Sequence, residues 1–174
     1  QKKDPQKENM GILSLPNLET KFVAANSLLG LNMSKQMKFK NPEIIELENK
    51  LKRVRHMHFS VKTRKDKLKY QDQDKLIREN IAALLEREGW DKTSAKHISA
   101  FDPYDQNASS PFFDPEWMFG VNSNFDIVIG NPPYVRADSG SEHLEFRRAL
   151  ESSGQFKTLY EKWDLMIPFM EKGL

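Results

Sequence analysis

A four-residue segment, Asn131-Pro132-Pro133-Tyr134, carries the groups needed to bind an amine attached to an aromatic ring. Two consecutive prolines fix φ near roughly −65° and restrict the residue before each, so this turn is stiff before any ligand arrives. The Asn131 side-chain oxygen and the Pro132 carbonyl can each accept a hydrogen bond from the amine. Tyr134 offers a flat face on which a base can stack, an interaction worth roughly 1–3 kcal/mol.

An amine on an aromatic ring is a poor nucleophile because its lone pair is delocalised into the ring. Hydrogen bonds to Asn131 and Pro132 would pull the nitrogen towards a tetrahedral, more nucleophilic form. Both bonds strengthen as positive charge develops on the nitrogen, which is the differential stabilisation that catalysis requires. The segment therefore predicts methyl transfer to an amino group, a reaction that depends on close positioning rather than on a strong general base.

The residues before this segment indicate how it is positioned. Residues 125–130 form a continuous apolar run, which is typical of a parallel strand buried on both faces. In open α/β sheets, ligands bind beyond the carboxyl ends of the strands, where Asn131 would lie. The alternative is a proline-rich turn with no catalytic role, and attachment to a buried strand favours the catalytic interpretation.

Other patterns predict the remaining elements. Residues 21–25 indicate a short buried strand that ends at Asn26. Asn41 and Pro42 are a good helix start, and the apolar spacing that follows predicts a helix to about His56. A second helical pattern stops near Gly89. An antiparallel hairpin of these two helices is favoured over one long bent helix.

The second half of the chain, apart from the strand at 125–130, is predicted to contain a loop region and two helices. Residues 101–124 have no periodicity and predict an ordered loop without helix or strand, whose aromatic residues pack against the core. Helical patterns return at residues 142–150 and 160–172.

Composition excludes several classes of protein. The chain of 174 residues has no cysteine, which excludes disulfides and Cys-ligated zinc and favours an intracellular, cytoplasmic origin. No apolar run approaches the roughly 20 residues that span a bilayer, and no signal segment opens the sequence.

His56 and His58 are two positions apart and point to different faces of a helix. His97 and His143 have no evident partners, so no metal site is predicted.

The net charge of +2 conceals a basic block between Lys50 and Lys69, where nine basic residues accompany a single acid, Asp66. Such a block suits contacts with nucleic-acid phosphates. The alternative is a solvated helix face without a ligand. The candidate nucleic-acid-binding residues are Lys52, Arg53, Arg55, Lys62, Arg64 and Lys65.

Four segments resemble one family. Residues 125–134 resemble motif IV of the amino-group DNA methyltransferases of the gamma arrangement. Residues 15–28 are similar to the segment around motif III of fused type IIG restriction–modification enzymes, residues 113–120 to the stretch before motif IV, and residues 163–173 to the motif V helix. The resemblance implies a bacterial enzyme that transfers methyl from S-adenosylmethionine to the N6 amino group of an adenine flipped out of double-stranded DNA.

The resemblance also implies roles for individual residues. Asn131, Pro132 and Tyr134 would hold the flipped adenine and take part in catalysis, with Pro133 lining the substrate beside them. Asn26 lies where motif III approaches the cofactor's adenine, although it is equally a strand-end turn residue. Asp164 could contact the methionine part of S-adenosylmethionine, but capping of a helix is the favoured interpretation.

The implied fold is α/β, part of a Rossmann-like methyltransferase sheet with a helical-hairpin insertion. Residues 1–31 would hold motif III, residues 32–100 the basic helical insertion, and residues 101–174 motifs IV and V. The sequence has neither the glycine-containing cofactor loop nor the ribose-binding acid of this family, and no PD-type endonuclease site or target-recognition domain. We therefore expect the chain to be part of a larger protein.

Three alternatives stay open. A methyltransferase acting on a glutamine side chain of a protein, or on a guanine amino group of RNA, would use the same loop chemistry. The long basic hairpin and residues 113–120 argue against the first of these. A non-catalytic nucleic-acid-binding module, with the helical hairpin as its working part, is the third.

Overall fold

A computed structural model of the protein describes residues 3, 5–6, 10, 15–31, 41–121, 125–136 and 143–174. Its elements alternate two short strands with six helices, after a 3-10 turn at Glu19–Lys21. In chain order they are β1 (Ala24–Ala25), α1 (Pro42–Ser60), α2 (Arg64–Arg87), α3 (Lys92–Ala100), β2 (Ser109–Ser110), α4 (Pro115–Phe119), α5 (Leu144–Ser153) and α6 (Met166–Gly173).

Helices α1 and α2 form the predicted hairpin, because three residues, 61–63, separate them and they pack against each other. The Asn41 side chain caps α1 by accepting a hydrogen bond from the Glu43 N–H at 2.9 Å. Thr63 caps α2 by accepting from the Asp66 N–H at 3.1 Å. The predicted start of α1 is confirmed, and α1 runs four residues beyond its predicted end at His56. The two helices are separate, so the alternative of a single bent helix is wrong.

The main hydrophobic core lies between this hairpin, α3 and α4. Helix α3 was not predicted, because it is only nine residues long and Ile98 is its one large apolar side chain. Its start is nonetheless local, since Asp91 accepts a hydrogen bond from the Ser94 N–H at 2.9 Å. The buried members of this cluster are Ile44, Leu51, Val54, Ile77, Ile81, Ala82, Leu84, Leu85, Ala95, Ile98, Phe101, Phe112, Trp117 and Met118.

Strands β1 and β2 pair in parallel, with Ala24 opposite Ser109 and Ala25 opposite Ser110. The parallel pairing is consistent with the predicted α/β class. The strand predicted at 21–25 is shorter and less buried than expected, because Lys21 belongs to the 3-10 turn and Phe22 is exposed. The hydrogen bond from the Asn26 N–H to the Ser110 carbonyl, 2.9 Å, extends the pairing by one residue.

Residues 101–121 contain β2 and α4, so the prediction of a region without helix or strand is wrong. Asp114 caps α4 by accepting from the Trp117 N–H at 2.7 Å, and Gly120 ends it in the left-handed region at φ 72°. Packing of the aromatic residues against the core is confirmed by buried Phe112 and Trp117. Residues 122–124 lie outside the described residues.

Residues 125–130 do not form the predicted buried strand. Ile127, Val128 and Ile129 are 78%, 59% and 91% exposed. A strand buried on both faces needs neighbouring strands and covering helices, and the sheet of the described residues contains β1 and β2 alone. Val128 lies beside α6, where its Cγ1 is 3.6 Å from the position a Cβ on Gly173 would take. The apolar side chains of this segment are therefore largely exposed.

A second hydrophobic cluster joins the two C-terminal helices to the loop after β1. Its buried residues are Leu28, Leu150, Trp163 and Leu165. The helix predicted at 160–172 begins at Met166, since Trp163 and Leu165 turn into this cluster first. Helix α5 begins at Leu144, and residue 142, the predicted start, lies outside the described residues. Among the described helices, none has both the length and the apolar character that crossing a bilayer requires.

Candidate active site

The loop of residues 131–134 is open to solvent. Asn131, Pro133 and Tyr134 are exposed and Pro132 is half-buried. The Tyr134 side chain is 75% exposed, so its ring face is available for stacking. A substrate amine can therefore reach the Asn131 side-chain oxygen without displacing a packed group.

The C-terminal end of this loop is anchored. The Leu165 N–H donates to the Val135 carbonyl at 3.1 Å, which ties the residue after Tyr134 to the turn before α6. The Val135 side chain also packs against the second hydrophobic cluster. The loop is thus fixed at its exit, while the segment that leads into it is exposed.

The structure brings the three predicted site segments to this one cluster. Leu28, Trp163 and Leu165 are buried members of the cluster. Asn26 lies two residues before Leu28, and Asp164 lies between Trp163 and Leu165. The loop after β1 is held nearby by a 3.0 Å hydrogen bond from the Gly30 N–H to the Gln155 side chain. Motifs III, IV and V, as assigned from the sequence, therefore converge although they are far apart in the chain.

Both predicted cofactor-binding residues also have structural roles. The Asn26 side-chain oxygen accepts from the N–H groups of Leu28 and Leu29, at 3.2 and 3.3 Å, and so forms the strand-end turn. Asp164 accepts from the Met166 N–H at 2.9 Å, just before α6, whose N-cap residue is Leu165. The Asn26 contact matches its interpretation as a strand-end turn residue. A contact of either with a cofactor stays a prediction.

Two cavities, of about 700 and about 410 Å³, lie in the described part of the chain, and residues 131–134 line neither. The larger lies between α1 and α4 and the smaller beside β1 and β2. The loop itself presents its acceptors on a surface. Neither of these two cavities encloses Asn131 and Tyr134.

Four of the six candidate phosphate contacts are exposed along α1, on α2 and in the turn between them. These are Arg53, Lys62, Arg64 and Lys65. Lys52 is half-buried, and its aliphatic carbons lie 3.4–3.6 Å from the position of a Cβ on Gly120. Its stem packs on the end of α4, so its ammonium is less available than those of the exposed residues.

Arg55, the sixth, is built into the core. Its Nε donates to Asp74 at 2.7 Å, and its Nη1 donates to the carbonyls of Trp117 and Met118 at 2.7 and 3.2 Å. Its side chain is 11% exposed. The structure thus gives Arg55 the task of joining α1 and α2 to α4, which the sequence analysis did not anticipate.

Comparison with known proteins identifies the family of this chain. The Eco57I restriction-modification methylase family matches residues 16–174. The chain belongs to this family. The match takes in β1, the helical hairpin, the 131–134 loop and both C-terminal helices. It confirms the resemblance at the level of restriction-modification methylases.

Among the relatives of this Eco57I family member are type II methyltransferases. It is 32% identical to M.PaeR7I of Pseudomonas aeruginosa over 94 residues, which are 54% of this chain and 14% of that protein. It is 48% identical to M.XhoI of Xanthomonas vasicola over 57 residues, 33% of this chain and 10% of that protein. The chain thus spans about a tenth to a seventh of the curated relatives it matches. No solved structure matches it.

The Eco57I family chain also holds a buried charge network that the sequence analysis missed. Asp74 has no exposed surface and accepts from Arg55 Nε and Arg78 Nε, both at 2.7 Å, and from the Tyr104 hydroxyl at 3.1 Å. Burial and the nearby Asp74 carboxylate raise the pKa of Tyr104, so it stays a neutral donor. A signal was present, since Asp74 and Arg78 share the face of α2 that carries Ile77.

His58 was considered in the sequence only as part of a metal pair with His56. Its side chain has no exposed surface, and neither ring nitrogen has a hydrogen-bond partner among the described residues. Its ring centroid lies 4.7 Å from that of Tyr104. Burial lowers the pKa of His58, and the carboxylates of Glu19 and Asp74 offset only part of this. His58 is therefore neutral in the folded protein.

We expect stability to decline as the pH falls below about 6.5, the ordinary histidine pKa. In that range the unfolded chain binds a proton at His58 that the folded chain does not, so unfolding is favoured until the lowered folded pKa is reached. The substitution His58→Leu should reduce the difference in melting temperature between about pH 7.5 and about pH 5.5. His56→Leu, at an exposed position, should leave it unchanged. Equal pH dependence in both variants would contradict the expectation.

Proposed function

We propose that the 131–134 loop binds the amino group of an adenine flipped out of double-stranded DNA, in an S-adenosylmethionine-dependent N6-adenine methyltransferase of the gamma arrangement. The observation that carries the proposal is the exposed Asn131–Tyr134 acceptor and stacking pair inside a restriction-modification methylase chain. A fused type IIG enzyme is the setting that the motif order favours.

The loop's own groups account for the activation of the amine. Asn131 Oδ1 and the Pro132 carbonyl would each accept one N–H of the adenine amino group, and their hydrogen bonds strengthen as the nitrogen becomes positive. The exposed Tyr134 ring would stack on the base and hold it in the plane that directs the amine at these acceptors. The two prolines keep the acceptors fixed, so little reorganisation is needed during the reaction.

S-adenosylmethionine, when bound, would supply an electrophilic methyl group on its sulfonium. Asn26 and Asp164 are the residues of this chain placed to approach it, since their segments meet at the cluster that anchors Val135. These two residues would form only part of such a site, because Oδ1 of each already accepts a hydrogen bond from a backbone N–H. The main cofactor cradle would then come from a larger protein, as the absence of a glycine-containing loop suggests.

The exposed segment at 125–130 also suits a chain that is completed by other parts of a larger protein. Its apolar side chains and β-branched residues suit a central strand, and an exposed run of this kind invites pairing with another strand. We propose that it pairs with further strands of the longer enzyme and then lies buried. Residues 1–31 and 101–174 would be methyltransferase segments, and residues 32–100 a helical insertion between them.

The helical insertion would contact DNA phosphates through the turn between α1 and α2. Lys62, Arg64 and Lys65 are exposed there, and Arg53 is exposed earlier on α1. Lysine and arginine contacts with phosphate give affinity without sequence preference. Arg55 is left out of this surface because its guanidinium is engaged with Asp74 and α4. Lys52 would contribute at the edge of the surface.

We expect the triple change of Lys62, Arg64 and Lys65 to glutamine to weaken duplex binding and to reduce the slope of log affinity against log salt by about 3. The control is the same change at Arg87, the last residue of α2, and at Lys92 and Lys96 on α3, all of which are exposed. Fluorescence anisotropy at several salt concentrations measures both. Identical slopes for the two triple variants would show that the turn does not contact phosphates.

The substrate class can be tested directly with the full-length enzyme and S-adenosylmethionine labelled in its methyl group. Duplex DNA, structured RNA and a protein mixture are offered separately, and the label recovered with each is counted. The proposal expects label in DNA. Label recovered with RNA would instead indicate a guanine amino group as substrate, and label in protein a glutamine side chain.

A further inference from the structure

We propose that Arg147 and Trp163 are positioning residues that set the location of the 131–134 loop. The inference rests on the proposed function, because it concerns how the amine-binding loop is held. Neither residue belongs to the predicted site, and neither would touch the substrate. Their effect passes through the backbone of the turn before α6.

Trp163 is clamped by two residues of α5. The Arg147 guanidinium carbon lies 4.1 Å from the centroid of the Trp163 ring, and Arg147 Nη1 donates to the Trp163 carbonyl at 3.2 Å. Trp163 Nε1 donates to Glu151 at 3.0 Å. The indole is 2% exposed. The face of the indole, its Nε1–H and the backbone carbonyl of Trp163 are therefore all bound by residues of α5.

This clamp is two residues from the anchor of the loop. Leu165, whose N–H donates to the Val135 carbonyl at 3.1 Å, follows Trp163 and Asp164. Leu165 and Trp163 are buried in the same cluster, so a displaced indole would move the donor of this hydrogen bond. Val135 directly follows Tyr134, so that movement would reach the stacking ring.

The loop passes such a displacement on because it is stiff. Prolines at 132 and 133 restrict its backbone, so movement at Val135 is transmitted to Asn131 rather than absorbed. Val135 and Tyr134 lie after the prolines, so their position depends on the Leu165 anchor even where the segment before the loop is held by other strands. A misplacement of about 1 Å in a reacting group can cost about 10²-fold in rate.

Arginine is required for the clamp by its shape. A planar guanidinium can stack on the indole and donate to the Trp163 carbonyl at the same time, whereas a lysine ammonium is a point donor. Arg147→Lys would keep the positive charge and lose the stacked plane. It should therefore restore only part of the function lost in Arg147→Met.

The test compares Arg147→Met with Arg148→Met in the full-length enzyme. Arg148 is the exposed neighbour on α5, so the control removes the same charge from the same helix. We expect Arg147→Met to lower kcat by about tenfold, with the KM for DNA nearly unchanged. We also expect faster hydrogen exchange at the Leu165 amide, and weaker fluorescence from 2-aminopurine placed at the target base. Arg148→Met should resemble the wild type in all of these.

Two results would overturn the inference. One is unchanged Leu165 exchange in Arg147→Met, which would show that the clamp does not act on the anchor. The other is a kcat loss that follows the fraction of unfolded protein, which would indicate a stability role alone. If Arg147→Met fails to fold, Trp163→Phe, which removes the bond to Glu151, takes its place with the same readouts. A wild-type enzyme without methyl transfer would contradict the proposed function, while the exchange result would still decide the clamp.

Discussion

Replacing Asn131 with alanine in the full-length enzyme is expected to lower the rate of methyl transfer by about 10²- to 10³-fold, as for the loss of one preorganised hydrogen-bonding group in other active sites. The loop geometry gives the reason, since Asn131 is exposed beside Tyr134 and has no core packing to lose. DNA affinity should change little, because phosphate contacts would lie on the helical insertion. The measurement is single-turnover transfer together with DNA binding at one salt concentration.

The matched control is Asn80→Ala, which makes the same change at an exposed position of α2. It should leave both rate and affinity unchanged. Methyl transfer retained in Asn131→Ala would show that this side chain does not accept a hydrogen bond from the amine. Lost transfer with equally lost DNA binding would show that Asn131 acts through DNA binding or folding rather than through activation of the amine.

Asp74→Ala should destabilise the helical insertion by about 3–5 kcal/mol, the usual cost of breaking a buried ion pair by removing one partner. Asp74 is fully buried and is the shared acceptor of Arg55 and Arg78. Without it two guanidinium groups would be buried with no opposite charge between them. Backbone amides of α1 and α2 should then exchange with solvent about 10²- to 10³-fold faster, since about 1.4 kcal/mol corresponds to tenfold.

Asp72→Ala is the control, because Asp72 lies two residues earlier on α2 and is exposed. It should change exchange in the helices by less than a few-fold, in line with surface substitutions elsewhere. Equal protection of α1 and α2 in the two variants would mean that Asp74 is not the centre of the network. The comparison uses the full-length enzyme and is confined to peptides from the two helices.

Local signals were sufficient for the helical hairpin. Asn41 and Pro42 mark the start of α1, and the apolar spacing that follows needs no information from the rest of the chain. The end of α2 just before Gly89 is likewise indicated by local residues. Helix α3 was not predicted because, although Asp91 caps its start, its nine residues include a single large apolar side chain, Ile98. Helix α4 escaped because five residues are too few to show periodicity.

Burial of the 125–130 segment could not be predicted from its own residues. The apolar run indicates what the segment would do within a sheet, but exposure depends on which strands lie beside it, and among the described residues none does. Only the Asp74–Arg78 part of the buried network could be read from the sequence, since both residues lie on one face of α2. The partnership of Arg55 with Asp74 joins two helices, so helical periodicity along either one does not reveal it.

The candidate site was predicted as separate segments, and the structure supplies their meeting point. The sequence placed Asn26, Asn131 and Asp164 in three motifs, and the cluster around Trp163 and Leu165 is what brings those motifs together. The turn formed by Asn26 agrees with the strand-end interpretation of that residue, and Asp164 accepts a backbone N–H just before α6. The amine-binding role of Asn131 stays a prediction.

The most direct test of that role is to find where the methyl group goes. Duplex DNA is incubated with the full-length enzyme and methyl-labelled S-adenosylmethionine, digested to nucleosides and separated by chromatography with mass detection. We expect label in N6-methyldeoxyadenosine with the wild-type enzyme and its near-complete loss with Asn131→Ala. Label in another nucleoside, or equal N6-methyldeoxyadenosine from both enzymes, would contradict this expectation.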